Sequence, residues 1–409
     1  MSFFLEARAL LRSKTLVLLL CASALSVLLA PHFIVGDGTE EGRGVVETCY
    51  SLWGAIAITA VSVASAAATS ISADRAAKRL QLTLSRPVSF FSVAAGRIAA
   101  LALMGALSMG VACAVLALRP GPSTCRHVYR PVMESAGEEA KKMYETYMAD
   151  PETAKSLKRE RKATVLRLLE QKARDHYMPM PTNSVTSWAF DVPEAHAMRR
   201  ATARMRFSDS FSLRRDVRGT ISFGDRSGAV SNITQAVLEF PLEGKPGNAR
   251  TLEFSNTGES SLMLRPRRDI ELLFDADSRA MNIFRAWIVL SSMMALVAAF
   301  GLFLGAALSR PVAIWTVLVM LFLSLASPAV VDQYPHALDI TPGDAAGLAL
   351  SRAVSSVTSP LTTFSPVQAL SENECVEWGE AAGAFALDAL LLPALLAALS
   401  ALVMRRVKG

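Results

Sequence analysis

The sequence predicts a polytopic α-helical membrane protein with six transmembrane helices and an extracytoplasmic α+β domain inserted between helices 3 and 4. Composition gives the solvent: 52% of the 409 residues are hydrophobic and only 19% charged, and mean hydropathy is +0.33. Distribution gives the class, because the apolar residues are bunched into continuous runs long enough to cross a bilayer. Between the third and fourth runs lies a long polar stretch whose pattern changes from helical to alternating, and that predicts the inserted domain.

The six spans are read near Thr15 to Val35, Tyr50 to Ile71, Val88 to Leu118, Ile283 to Leu308, Val312 to Val331 and Ala381 to Met404. Roughly 20 residues already span the hydrocarbon, so the over-long third run is expected to begin as an interfacial segment around Phe90 and Phe91. Continuous runs without strand alternation leave helices as the spanning structure. Basic residues fix the orientation. Arg8, Arg12, Lys14, Arg75, Lys78, Arg79, Arg86, Arg310, Arg405, Arg406 and Lys408 fall on one side, and only Arg43 and Arg352 in the short loops of the other. The first side is therefore cytoplasmic, both termini are inside, and loops 36–49, 119–282 and 332–380 are outside. Residues 1–118, 119–282 and 283–409 form the three parts of the chain.

At the N-terminus, Thr15 to Ala30 is too poorly matched to a cleavage site to be a removed signal: Leu20 precedes Cys21 where a lipoprotein needs a small residue, and Leu28-Leu29-Ala30 is no small-x-small site. The first span is expected to be retained. Ahead of it, Phe3, Phe4, Ala7, Leu10 and Leu11 share a helical face, which suits an interfacial helix; a charged flank for orientation is the alternative.

Within the insert, Cys125 to about Tyr177 reads as helical, broken by Asp150-Pro151. Strands are expected at Thr202–Phe207, Val217–Phe223, Ala236–Phe240, Thr251–Phe254, Ser261–Leu264 and Ile270–Phe274, making a small antiparallel sheet or sandwich packed on the helices. From Arg119 to Met281 there are 27 basic and 22 acidic residues. Outside the cell nucleic acid is not the expected partner. Arg199, Arg200, Arg204 and Arg206, or Arg265, Arg267 and Arg268, face lipid headgroups, glycans or protein, or are simply solvated strand residues. The 332–380 loop holds Ala345 to Val357 and Leu361 to Leu370, either short helices dipping into the outer leaflet or an ordinary surface loop.

Chemistry is sparse. The five histidines are scattered, and no HExxH, paired-cysteine or GxxxxGK[ST] motif occurs, so no metal, no cofactor and no catalytic residue is expected, and nucleotide-driven work would come from another polypeptide. Cys49, Cys125 and Cys375 all fall outside; two of them pair, or all three are free. Asp388, about two turns into the last span above Pro393, must face the bundle interior or a wet cavity, as a proton or substrate site or as a buried polar contact.

The most informative stretch is ISADRAAKRLQLTLSRPVSFFSVAAGR, from Ile71 to Arg97. Asp74, Arg75, Lys78, Arg79, Gln81 and Thr83 interleave with Ala76, Ala77, Leu80, Leu82 and Leu84, which allows an interfacial helix with a polar face to the cytoplasm. Pro87 suits the first turn of the next helix. The order of an acidic residue, a basic pair, Leu-x-Leu-Ser-Arg-Pro-Val-Ser and then Gly96-Arg97 resembles the connector between the second and third spans of the permease subunits of type-2 ATP-binding-cassette exporters. Asp74, Lys78, Arg79, Ser85, Arg86, Pro87, Val88, Ser89, Gly96 and Arg97 match that pattern. Phe90 replaces its usual Arg, Ala77 a common acidic residue, and the large insert is atypical. Leu308-Ser309-Arg310-Pro311-Val312 echoes the motif, which an Arg anchor and a helix-starting Pro explain without a repeat.

The resemblance covers about 30 residues closely and the six-span plan loosely. It implies a multi-pass inner-membrane permease that dimerises with an identical or different half, sits in lipid, and binds a separate ATPase through Asp74, Arg75, Lys78, Arg79, Ser85, Arg86 and Pro87. The alternative is a non-transport envelope scaffold or sensor anchored by its spans.

Overall fold

The structure, a computed structural model, describes residues 8, 14–34, 40–76, 89–149, 162–174, 176–206, 216–233, 238–244, 250–258, 261–333, 347, 349 and 363–406. The chain forms two compact units, a helical one built from its two ends and a sheet-containing one spanning Thr124–Asp277.

The helical unit contains α1 (Lys14–Phe33), α2 (Glu40–Ala76) and α3 (Phe90–Leu118). It resumes after the insert with α6 (Arg279–Ala307) and α7 (Arg310–Gln333). A short α8 (Val367–Ser371) precedes the last helix, made of α9 (Trp378–Ala384), a π-helical stretch (Phe385–Leu391) and α10 (Leu392–Arg406). Five helices are long and apolar enough to cross a membrane: Lys14–Phe33, Arg43–Asp74, Phe90–Leu118, Arg279–Ala307 and Trp378–Arg405. They mark the chain as a membrane protein. In α7 the described apolar part runs from Arg310 to Phe322 and is shorter than a span. Exposed Leu18, Leu25 and Leu29 on α1 and Leu391, Leu395 and Leu402 on the last helix are what a helix surface solvated by lipid carries.

The unit is organised around α6, whose Leu290, Met294, Leu296, Val297 and Leu302 join the main core. Small residues let its neighbours approach. Gly301 and Gly305 face Ala64, Ala67 and Ala68 of α2 so closely that a Cβ on Gly301 would lie 2.8 Å from the Ala64 carbonyl oxygen. This is a G-x-x-x-G surface packed on a row of alanines. Polar groups tie both of these helices to α3: Thr59 and Ser108 hydroxyls lie 2.8 Å apart between α2 and α3, and the Trp287 indole N–H of α6 donates to the Ala106 carbonyl at 2.9 Å.

The third apolar helix begins at Phe90 and runs unbroken to Leu118. Ser89 adopts an extended conformation and its hydroxyl accepts from the Ser92 N–H at 3.1 Å, so a serine cap sets the start of α3, and Pro87, expected in its first turn, lies outside the described residues.

The sheet unit contains β1 (Thr124–Tyr129), α4 (Ala136–Ala149), α5 (Lys162–Arg174) and β2 (Met178–Met180). Next come β3 (Ser184–Ala189), β4 (Ala201–Met205), β5 (Asp216–Phe223) and β6 (Arg226–Ile233). The last strands are β7 (Leu238–Leu242), β8 (Thr251–Asn256), β9 (Leu262–Leu264) and β10 (Ile270–Ser278). They form two four-stranded sheets, β1-β10-β4-β7 and β3-β8-β5-β6, and the pair β2-β9. One core joins the sheets: Ala203, Met205, Phe240, Leu272 and Phe274 from the first meet Ile221, Phe223, Leu252 and Phe254 from the second. The helices α4 and α5 have a small core of their own around Ala140, Val165 and Leu169.

Two expectations are corrected here. The segment opening at Cys125 is not helical: Thr124–Tyr129 is an edge strand. Arg204, Arg265 and Arg267 are not an outward basic surface. Arg204 stands in register between Glu239 of β7 and Glu271 of β10 and binds both, at 2.9 and 3.2 Å. Arg265 pairs with Asp269 at 3.1 Å and Arg267 with Glu139.

Candidate functional site

The stretch singled out from the sequence begins on the last turn of α2 and ends two turns into α3. Serine hydroxyls along α2 bond back to carbonyls of the preceding turn, Ser62 to Ile58 and Ser72 to Ala68, and so carry their polar groups through the apolar helix already satisfied. The end of α2 delivers Asp74. From the other side, the Ser89 cap starts α3 at a fixed point and places Arg97 two turns later. The two meet: the Arg97 guanidinium donates to the Asp74 carboxylate in an ion pair. Arg97 is only 7% exposed. A buried guanidinium must be matched by an acceptor with charge, and Asp74 is that acceptor.

The pair closes the ends of the connector on each other. Between its partners the chain carries Arg75, Lys78, Arg79 and Arg86. Arg75 lies in the last turn of α2 with its side chain outside the described residues, and Lys78, Arg79, Ser85, Arg86 and Pro87 also lie outside them. Sequence reading picked out Asp74 and Arg97 as motif positions but not as partners of each other. The signal was present in the spacing, an acid at the end of one span and a base near the start of the next.

Asp388 lies within the π-helical stretch of the last helix and is 1% exposed. Its Oδ1 has no hydrogen-bond partner among the described residues. Among the described residues neither Asp74 nor Asp388 belongs to a group of His, Cys, Asp and Glu close enough to hold a metal ion.

At the other end of the helices, Asn282 and Arg285 of α6 hold the chain that leads into the last helix. The Asn282 amide donates to the Glu374 carbonyl and its oxygen accepts from the Val376 N–H, both at 2.8 Å. Arg285 donates to the Val376 carbonyl at 3.1 Å and lies over the Trp378 ring, 5.0 Å from its centroid. Near the Glu40 end of α2 a cleft of about 590 Å3 is lined by Val46, Tyr50, Trp53, Ser365 and Gln368. Cys49 beside it is free, whereas Cys125 and Cys375 are each disulfide-bonded.

The histidines are less scattered than the sequence suggests. In the sheet unit the His127 and His196 rings stack with centroids 4.4 Å apart, and Tyr129 hydrogen-bonds His196. The strand β1 that brings His127 and Tyr129 to this place was not anticipated, so the pairing was not either.

No protein-family model matches the chain, and neither the curated proteins nor the solved structures give a match.

Proposed function

We propose that the chain is the permease subunit of an ATP-binding-cassette exporter, in which a separate ATPase engages the basic connector between α2 and α3. The observation that carries this reading is the Asp74–Arg97 pair. It braces the two helices at the ends of a segment rich in Arg and Lys, so a pull on that segment is passed to both spans instead of being lost in a slack loop. An acidic docking surface on the ATPase would be steered to Arg75, Lys78, Arg79 and Arg86. In this reading α7 is also a span, the fifth in chain order, which brings the total to six, since 24 residues extend about 36 Å, enough for a hydrocarbon core of about 30 Å. Both termini and the connector are cytoplasmic, in the inner membrane. The sheet unit is extracytoplasmic, and the disulfide-bonded state of Cys125 and Cys375 suits that oxidising side. A second copy or a related half completes the transporter within the lipid, and nucleic acid plays no part.

A second reading, an envelope scaffold or sensor, is favoured by the size and independent core of the sheet unit. Affinity purification of the tagged chain from its native cell in mild detergent separates them. The permease reading expects a stoichiometric phosphate-loop ATPase, lost when Arg75, Lys78, Arg79 and Arg86 are all replaced by Glu while membrane insertion is kept. Co-purification of other envelope proteins without any ATPase would favour the scaffold.

A further inference from the structure

We propose that Asp388 is a proton-exchange site inside the membrane, carrying its proton in the arrangement described here and releasing it to water when the helices move apart. Its position gives the first reason. Asp388 is ten residues beyond Trp378, where the last apolar helix starts, hence about 15 Å along it, near the middle of a hydrocarbon layer about 30 Å thick. It belongs to the face that packs inward, in line with buried Ala381, Ala384, Leu396 and Ala397. A leucine would fill such a place with no polar group to satisfy, and a carboxyl there needs a reason other than packing.

Its surroundings give the second. The elements packed against the π-helical stretch are α6, α9 and α10. Their charged groups lie toward their ends. Arg279 donates to the Arg119 and Leu116 carbonyls, Arg285 to that of Val376, Glu380 is exposed in α9, and Arg405 and Arg406 close α10. On α3, which packs against α10, Arg97 is paired with Asp74, and the remaining titratable group is the buried thiol of Cys113. Among the described residues no cation forms an ion pair with Asp388, and its Oδ1 has no hydrogen-bond partner. A carboxylate so placed would be an uncompensated charge in an apolar core, whereas the neutral acid is tolerated.

The third is the backbone. The π-helical turns of Phe385–Leu391 widen the helix around Asp388. Such a bulge relaxes to an α-helix by shifting one residue in register, which would turn this side chain relative to α6, and bulges of this kind occur frequently at functional sites. Ionisation breaks the carboxyl O–H bond, leaves its electron pair on the oxygen and passes the proton to a water on whichever side the site opens; reprotonation is the reverse. No other reactant is required. The inference rests on the membrane-spanning reading of the helix and not on the ATPase.

The test uses the full chain in lipid nanodiscs, treated with dicyclohexylcarbodiimide, which enters apolar regions and couples to protonated carboxyl groups. Peptide mass spectrometry should place the adduct on Asp388 at neutral pH, with a rate that falls along a single titration as pH rises, and no adduct in Asp388→Asn, which keeps the shape of the neutral acid and should insert normally. Infrared absorption gives a second reading independent of the reagent: the band of a neutral carboxyl, absent in Asp388→Asn, should shift within minutes of transfer to heavy water. No adduct at any pH together with no such band means that Asp388 is ionised, and the proposal fails. A band that persists unshifted in heavy water means a sealed structural contact, and the proposal fails equally. Loss of ATPase co-purification would leave either result untouched.

Discussion

Replacing Gly301 and Gly305 with alanine should loosen the contact between α2 and α6 by an amount the geometry sets. A Cβ on Gly301 would lie 2.8 Å from both the Ala64 oxygen and the Ala67 Cβ, against about 3.5–4.0 Å for unstrained carbon contacts. Relief requires the helices to separate by roughly 0.7–1 Å along that stripe. Overfilling a packed interior costs about 1–3 kcal/mol per site, and the two glycines share one partner helix, so the pair should cost about 2–4 kcal/mol. Alanine's helix propensity returns up to about 1 kcal/mol per site in water, which sets the control: Gly44, also in α2, has nothing within 4 Å of its would-be Cβ. Gly44→Ala should be neutral or mildly stabilising while Gly301→Ala/Gly305→Ala is destabilised by roughly 30-fold or more in the folding equilibrium. Unfolding in mixed micelles with increasing sodium dodecyl sulfate, followed through the fluorescence of Trp53 and Trp287, measures both. If the double variant is as stable as Gly44→Ala, the close approach of α2 and α6 is wrong.

Arg204→Met should destabilise the sheet unit by about 3–5 kcal/mol, because it leaves Glu239 and Glu271 without the base between them; limited proteolysis of the full chain against denaturant reads this. Burial pushes the Glu239 carboxyl up, but Arg126 and Arg204 together hold it below its ordinary value of 4.5. Its contribution is therefore complete above that pH and is lost as pH falls through the lowered value, so acid should selectively expose the sheet unit to pepsin, and less so in Glu239→Gln. Arg97→Asp should cost about 2–3 kcal/mol, somewhat below a fully buried pair because Asp74 is partly exposed, and Asp74→Arg/Arg97→Asp should recover most of it in the same micelle assay. Ser89→Ala removes the cap of α3 and should cost about 1 kcal/mol; no change would mean that another group caps the helix.

The apolar runs were legible because a helix in lipid has to be apolar on every face, a pattern that length and composition alone reveal. Their ends were less so. The helix α2 starts ten residues before the run read at Tyr50, since Glu40 to Cys49 is polar but helix-forming, with Arg43 and Glu47 paired one turn apart at 2.6 Å. Strand β1 escaped because a six-residue strand leads directly into a region rich in Glu, Lys and Arg that dominates any longer window. Strand β6 escaped because Ser, Gly, Ala and Asn hide its alternation. Its turn was visible, however: Gly224 with φ +62° and Asp225 join β5 to β6 as a two-residue hairpin. In the candidate site, Asp388 was recognisable as a charge out of place within a span, and Asp74 and Arg97 as motif positions at the two ends of the connector. Which of them had a partner was not, because pairing depends on the rotation of one helix against another. The same holds for Arg204, whose neighbours are fixed by strand register and not by sequence distance.

The polypeptide leaves the helical unit after Ser123 and re-enters it at Ser278. Arg279 donates from its backbone to the Ser123 carbonyl at 2.9 Å and from its guanidinium to the Arg119 and Leu116 carbonyls at 2.8 and 3.1 Å, so the outgoing and returning strands are knotted together by one side chain. The 154 residues between them, Thr124–Asp277, make up the sheet unit. A short Gly-Ser bridge from Ser123 to Ser278 therefore has almost no gap to cross, so the helical unit could be joined up there without stretching either helix end.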